Sequence, residues 1–212
     1  MSQPCDRACT IPAPGQVDKS LGEFWVENPW EIVKNGHNLS CFERNRTWMN
    51  IKGSNFIDLS FLTGTDNDGD GRCVVAGDFS NNGRQDLLVR QVGGGPLLLY
   101  ENNFPQRHYL KVSLRGSQSN RLGVGARLTA LVKGQQLVRE MFPINSYRSQ
   151  MPNLVHFGLA DAEQMERLEI RWPSGKIQVL TDLKGDKHIV VDEGKDGAAA
   201  IESVVPGQTI RP

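Results

Sequence analysis

The best-spaced chemistry in this chain lies in Gly77-Asp78-Phe79-Ser80-Asn81-Asn82-Gly83-Arg84-Gln85-Asp86. Asp78, Ser80 and Asn82 alternate, so three oxygen-bearing side chains can converge on one side of a short loop. Gly83 follows where the chain must bend sharply, a place for a residue without a Cβ. Arg84 offers its backbone carbonyl, and Asp86 returns a carboxylate at the start of the apolar run Leu87-Leu88-Val89. Alternate oxygens, a glycine bend and a closing carboxylate are how a loop wraps a hard cation. The pattern therefore nominates Asp78, Ser80, Asn82, Arg84 and Asp86 as calcium ligands. With only two carboxylates, the affinity expected is the weak, extracellular class of ~10⁻⁴–10⁻³ M. Asn82-Gly83 between apolar runs is also a hairpin-turn signal that needs no metal, and both readings stand.

A second acidic stretch, Asp66-Asn67-Asp68-Gly69-Asp70-Gly71, places Asp66, Asp68 and Asp70 at alternate positions. Val74 stands where a closing carboxylate is wanted, so this is a half-site, a source of extra ligands for the neighbouring ion, or a solvated turn. For hydrolytic chemistry, paired carboxylates would have to face each other across a cleft. The candidates are Glu140 beside Tyr147, and the Asp66–Asp70 stretch. His37, His108, His156 and His188 are scattered, and His156 sits on an apolar strand pattern, as a hydrogen-bonded core histidine does. No Gly-x-Ser-x-Gly motif is present, and no cysteine has an evident partner for catalysis. The glycines of Ser119–Ala126 suggest a phosphate loop, but no Lys-Ser/Thr follows, and tight turning between strands explains them better. No catalytic residue is assigned.

The elements that must position these groups read as strands. Thr47–Ile51 with Asn55–Phe61, then Cys73–Phe79, Asp86–Gln91 and Pro96–Asn102, are short and separated by turns. Together they resemble one and a half propeller blades, too few for a closed propeller of ~4–8. They must then pack on the rest of the chain or on a partner. From His108 onward the alternation is clear: Leu110, Val112 and Leu114 against Lys111, Ser113 and Arg115, then Leu128, Ala130 and Val132. Leu168, Ile170 and Trp172 alternate with Arg167, Glu169 and Arg171, and Ile177, Val179, Ile189 and Val191 mark two further strands. Period-two alternation with a polar face predicts an antiparallel sandwich or barrel. Pro173-Ser174-Gly175 is a tight turn, and Asp161–Met165 is expected to make one short helical turn.

Composition narrows the classes. At 212 residues, 38% hydrophobic and zero formal net charge, the chain can bury a core but has no electrostatic case for nucleic acid. No apolar run approaches the ~20 residues of a membrane span, and Met1–Gly15 lacks a signal peptide's apolar stretch. Either the protein is cytosolic or this is an exported form already trimmed. Asn102–Arg139 contains no acid, whereas acids dominate Asp58–Glu101. The basic half is expected to dock on the acidic half of the same chain, with an anionic glycan or acidic partner as the alternative. Cys5, Cys9, Cys41 and Cys73 form no zinc pattern. Phe24, Trp25, Val26, Trp30, Ile32 and Val33 are read as a core plug, and Gly36–Arg46 as an ordered polar loop.

Several stretches, in order, resemble the ASPIC/UnbV domain: Ser119-Asn120-Arg121-x-Gly123-x-Gly125-Ala126-Arg127, Arg139-Glu140, Tyr147-x-Ser149-Gln150, His156-Phe157-Gly158-Leu159 and Arg171-Trp172-Pro173-Ser174-Gly175. Upstream, Val75–Leu99 is similar to an FG-GAP or VCBS-type repeat, a propeller blade whose loop carries calcium. His37–Arg46 looks like the stretch that precedes this repeat in bacterial members, and the combination resembles the cartilage acidic protein group. Ser80 and Asn82 stand where that family usually has acids. The resemblance implies an extracellular or surface, non-enzymatic, calcium-associated interaction module.

The organisation expected is a leader at 1–35, a repeat segment at 36–104, a β-sandwich at 105–193 packed against an incomplete blade, and a tail at 194–212 that is mobile or a late edge strand. Three functions follow: an adhesion or interaction module with a protein or glycan partner, a carbohydrate-binding or carbohydrate-active protein, or a structural cap on a larger propeller.

Overall fold

The computed structural model describes residues 44–51, 53–67, 71–91, 96–147 and 149–201. The expectations for the leader, the aromatic plug, His37, Cys5, Cys9, Cys41, Asp68, Asp70 and the last eleven residues lie outside the described residues. Among those described the chain is all β, without a helix. It divides into two compact units: residues up to Arg72 with Val89–Leu98, and Cys73–Leu88 with Leu99 onward.

In the first unit, β1 (Trp48–Ile51) and β2 (Asn55–Asp58) form an antiparallel hairpin. The second strand stops at Asp58, short of the expected Phe61. Asp58 accepts the backbone N–H of Ser60, and a turn follows. Hydroxyls of Thr47, Thr63 and Thr65 bond in a chain beneath that turn. β3 (Gly71–Gly77), β4 (Asp86–Gln91) and β5 (Leu98–Tyr100) form a three-stranded sheet in that order, whose Cys73–Gly77, Asp86–Leu88 and Leu99–Tyr100 parts count with the second unit.

The second unit holds the larger fold. Its strands are β6 (His108–Arg115), β7 (Arg127–Val132), β8 (Gln135–Glu140), β9 (Ile144–Ser146), β10 (Ser149–Gln150), β11 (Val155–Ala160), β12 (Gln164–Arg171), β13 (Ile177–Lys184), β14 (Lys187–Asp192) and β15 (Ala199–Ile201). One sheet runs β11-β6-β14-β15 and another β13-β12-β7-β8, while β9 and β10 make a small hairpin of their own. Apolar residues from both four-stranded sheets meet in one core, with Leu110, Val112, Phe157 and Val191 from the first and Leu128, Ala130, Leu168 and Ile170 from the second, all at 0% exposure. Two sheets closing one core from either side make a β-sandwich. Neither sheet closes into a barrel.

The alternation that predicted the strands also predicted most of their inward faces. The structure departs from the expected pattern at β14, at Asp161–Met165 and on β13, and again at Lys111 of β6. β14 lies parallel to β6, so the sandwich is not wholly antiparallel. Its return to β6 comes after a long excursion through the other sheet, a crossover that parallel neighbours require. Asp161–Met165 makes a turn into β12 rather than a helical turn, because Met165 is already a core position at 0% exposure and Ala162 packs with it. On β13, Ile177 and Val179 face outward, and Gln178 and Leu180 face in. Gln178 is tolerated there because its amide is saturated: Oε1 accepts from Trp172 Nε1–H and from Gly194 N–H, and Nε2 donates to the carbonyls of Asp192 and Lys195. The tail's other alternative is realised at β15, which edges β14.

Candidate functional site

The 78–86 loop grips a cation, but a cation of its own chain. The Asp78 carboxylate accepts the backbone N–H of Asn82 (2.9 Å) and of Gly83 (2.7 Å). Its Oδ2 also lies 2.5 Å from the Lys111 ammonium, and Asn81 Oδ1 accepts from the same ammonium at 3.1 Å. The ammonium sits 5.3 Å from the centre of the Tyr109 ring, a cation–π distance. Lys111 belongs to the face of β6 that alternation assigned to solvent, yet its side chain is 8% exposed and that of Asp78 4%. Burial pushes the Asp78 carboxyl up, but the Lys111 ammonium and the Gly83 and Asn82 N–H groups outweigh it and hold the group below its ordinary value.

The other loop residues divide between roles. Asp86, 2% exposed, turns its carboxylate to backbone: Oδ2 accepts Phe79 N–H at 3.2 Å and Oδ1 accepts Asn102 N–H at 2.8 Å. Asn82 Oδ1 accepts Arg84 N–H, and the Arg84 guanidinium donates to the Phe104 carbonyl. Ser80 is exposed. Gly83 bends at φ +86, and a Cβ there would lie 2.1 Å from the Tyr109 ring. Its carbonyl accepts the Nε2–H of His156 at 2.9 Å, and the His156 ring stacks on Tyr109 at 5.8 Å. Burial lowers the His156 pKa against the opposing pull of that carbonyl, so the ring is neutral near pH 7. The histidine is hydrogen-bonded as expected, but it is half-buried on the face of β11 opposite Val155 and Phe157, outside the core.

Beside this clasp, within the second unit, lies a cleft of about 270 Å³. Asp78, Lys111, His156 and Gln85 line one part of it, and Arg139 and Glu140 reach it from the end of β8. Phe142, Met151, Pro152 and Leu154 supply an apolar wall. Arg139 hangs over the Phe157 ring at 5.9 Å. Glu140 was nominated with Tyr147 as a hydrolytic pair; the structure brings Glu140 to the cleft, and Tyr147 is not among its lining residues. Of the second acidic stretch, Asp66 is bound by the Arg44 guanidinium at 3.0 Å in the first unit.

A second built site was not foreseen. Glu193, 5% exposed, receives three successive backbone N–H groups on Oε2, from Ser117, Gln118 and Ser119, each at 2.8 Å. Its Oε1 accepts the hydroxyls of Ser119 (2.9 Å) and Ser174 (2.6 Å). Burial raises its pKa, but these donors overcome that and hold it at about 2. The turn Ser117–Ser119, just ahead of the glycine loop, is therefore an anion nest filled by the chain's own carboxylate. Gly123 (φ +64) and Gly125 (φ +93) allow the tight turning expected in the glycine loop. Part of the basic stretch is paired within the chain, Lys111 with Asp78, Arg107 with Asp161 and Arg115 with Asp192, and of these three acids Asp78 alone belongs to the acidic half that was expected to receive it.

Comparison with known proteins bears on the second unit. Residues 116–198 match a family model described as ASPIC and UnbV, so the chain carries an ASPIC/UnbV domain over those residues. No curated protein matches the chain.

Proposed function

We propose that this chain is an extracellular, non-enzymatic binding module whose contact surface is the cleft beside the 78–86 loop. One observation carries the reading. The ionisable groups that border the cleft from within the fold are committed to structure: Asp78 to Lys111 and two N–H groups, and His156 to the Gly83 carbonyl. What is left facing outward is an exposed rim of Arg139, Glu140 and Phe142 around a fixed floor. That is an arrangement for holding a ligand in place rather than for moving protons. The ASPIC/UnbV domain is consistent with an extracellular module. The test is retention of the purified chain on extracellular matrix or on cells. The paired rim changes Glu140→Arg and Phe142→Glu abolish retention while the thermal unfolding midpoint stays put. Undiminished retention in the double variant excludes the cleft as the contact surface.

Weak calcium binding at the loop is a second reading, with an amendment made by Lys111. An ion at Asp78 would have to displace an ammonium that already neutralises the carboxylate. With Kd at about 1 mM, the weak end of loop affinities, 10 mM-range calcium stabilises the native state by roughly 1.4 kcal/mol through mass action. Lys111→Met removes the competitor. The variant is expected to unfold earlier in chelator and to gain more from calcium than the parent, with magnesium giving little in either. Equal unfolding in chelator and calcium for both proteins would leave Asn82-Gly83 as a turn and nothing more.

A further inference from the structure

We infer that the cleft is a subsite for one neutral sugar ring of a glycan, an assignment that rests on the binding-module reading and names its ligand class. The charges around the cleft cancel locally. Asp78 and Lys111 form an ion pair, Arg139 and Glu140 are adjacent residues of opposite sign, and burial keeps His156 neutral. A cleft without net charge has no electrostatic preference for an anion or a cation. It nevertheless offers both hydrogen-bonding polarities at close quarters: Arg139 donates, Glu140 accepts, and Gln85 does both. A ligand that uses donors and acceptors together, in one small space and without charge, is a polyhydroxyl compound.

The apolar wall supports the same ligand. A pyranose has a face of C–H bonds that packs flat on an aromatic ring, and its hydroxyls point outward around the ring's equator. Phe142 is 58% exposed at the edge of the cleft, beside Met151 and Pro152. An exposed aromatic next to a polar cluster fits a ligand that is apolar on one face and polar at its rim. Size agrees as well. Drug-sized ligands occupy clefts of roughly 300–1,000 Å³, and about 270 Å³ is smaller, in keeping with a single ring and the stub of its glycosidic bond.

The floor makes the site rigid. Lys111 is held by Asp78, Asn81 and the Tyr109 face, and Gly83, His156 and Tyr109 lock together behind it. A prepositioned floor lowers the ordering cost of binding. Single-ring contacts of this kind give dissociation constants of about 1 mM or weaker, and useful avidity then comes from repeated sugar units or several copies of the module.

The experiment is a titration of the whole chain with methyl glycosides of D-glucose, D-galactose, D-mannose and N-acetyl-D-glucosamine, followed by residue-resolved NMR shifts, with glucuronate and methylammonium as charged controls. Saturable shifts with at least one neutral glycoside, centred on Gln85, Arg139, Glu140 and Phe142, support the assignment. Phe142→Ala and Glu140→Gln are expected each to weaken that binding about tenfold, the worth of one good contact. Both residues are exposed, and unchanged unfolding curves will show that the fold is intact. Silence with all four neutral glycosides overturns the assignment, as do shifts centred elsewhere or binding of glucuronate or methylammonium alone. If the rim variants lose surface retention while no sugar binds, the module reading stands and only the sugar assignment falls. If neither depends on the rim, both fall.

Discussion

Asp78→Ala lowers the unfolding free energy by about 3–5 kcal/mol, the range found when one partner of a buried ion pair is removed. The size follows from what stays behind. The Lys111 ammonium, 8% exposed, loses its counter-charge, and the N–H groups of Asn82 and Gly83 lose their acceptor. Lys111→Met costs less, because the carboxylate keeps two N–H donors. The double variant Asp78→Asn, Lys111→Met costs less than the sum of Asp78→Asn and Lys111→Met, since neither charge is then stranded. Urea unfolding of the four proteins measures this directly. A loss under about 1 kcal/mol for Asp78→Ala, the value of an exposed pair, would mean that the clasp carries no weight. The pH dependence has a fixed sign. The Asp78 carboxyl sits below its ordinary value, so its contribution is full above that value and is lost as pH falls through the folded one. Acid therefore opens the loop, and with it the floor of the cleft.

Lys111 also shows where the sequence could be read and where it could not. Strands β6, β7 and β12 were legible because burial in a sandwich repeats every second residue, and Leu110, Leu128 and Leu168 repeat with it. The same rule put Lys111 in solvent. It is buried because a segment some thirty positions earlier in the chain covers that side of β6, and period-two alternation carries no information about such a cover. The glycine bend at Gly83 was legible too, but the oxygens that meet the cation were not: they are those of Asp78 and Asn81, while Ser80 is exposed and Asn82 Oδ1 turns to the Arg84 N–H. Nor was the origin of the cation, since only tertiary structure brings an ammonium to the loop. Gln178 failed for a related reason. A polar residue reads as outward unless its hydrogen bonds are known, and those run to Trp172 and to the carbonyls of Asp192, the last residue of β14, and Lys195. The cleft itself needed the fold, because Gln85, Glu140 and Met151 share no local pattern.

Glu193→Ala is expected to cost roughly 3 kcal/mol, because it leaves three successive N–H groups of a turn without an acceptor in a place water reaches poorly. Glu193→Gln should cost about half as much, roughly 1.5 kcal/mol: an amide oxygen still accepts from the N–H groups, and its NH₂ meets hydroxyls that can accept, but the charge that strengthened every bond is gone. The acid limb separates this site from ordinary packing. A glutamate held at about 2 against an ordinary 4.5 binds fewer protons folded than unfolded between those values, so it stabilises fully above 4.5 and loses that contribution as pH falls toward 2. The parent's stability should therefore fall steeply across that window, and Glu193→Gln should fall less steeply, its curve converging with the parent's near pH 2. Parallel curves would mean that Glu193 is held by packing and not by charge. The stake is the meaning of the residues that carry the family likeness. Ser119 and Ser174 fall within the matched 116–198 span, and in this structure they help build the nest around Glu193. Convergence of the two curves would identify Ser119 and Ser174 as parts of a structural clasp, which leaves recognition to other residues, at the rim of the cleft.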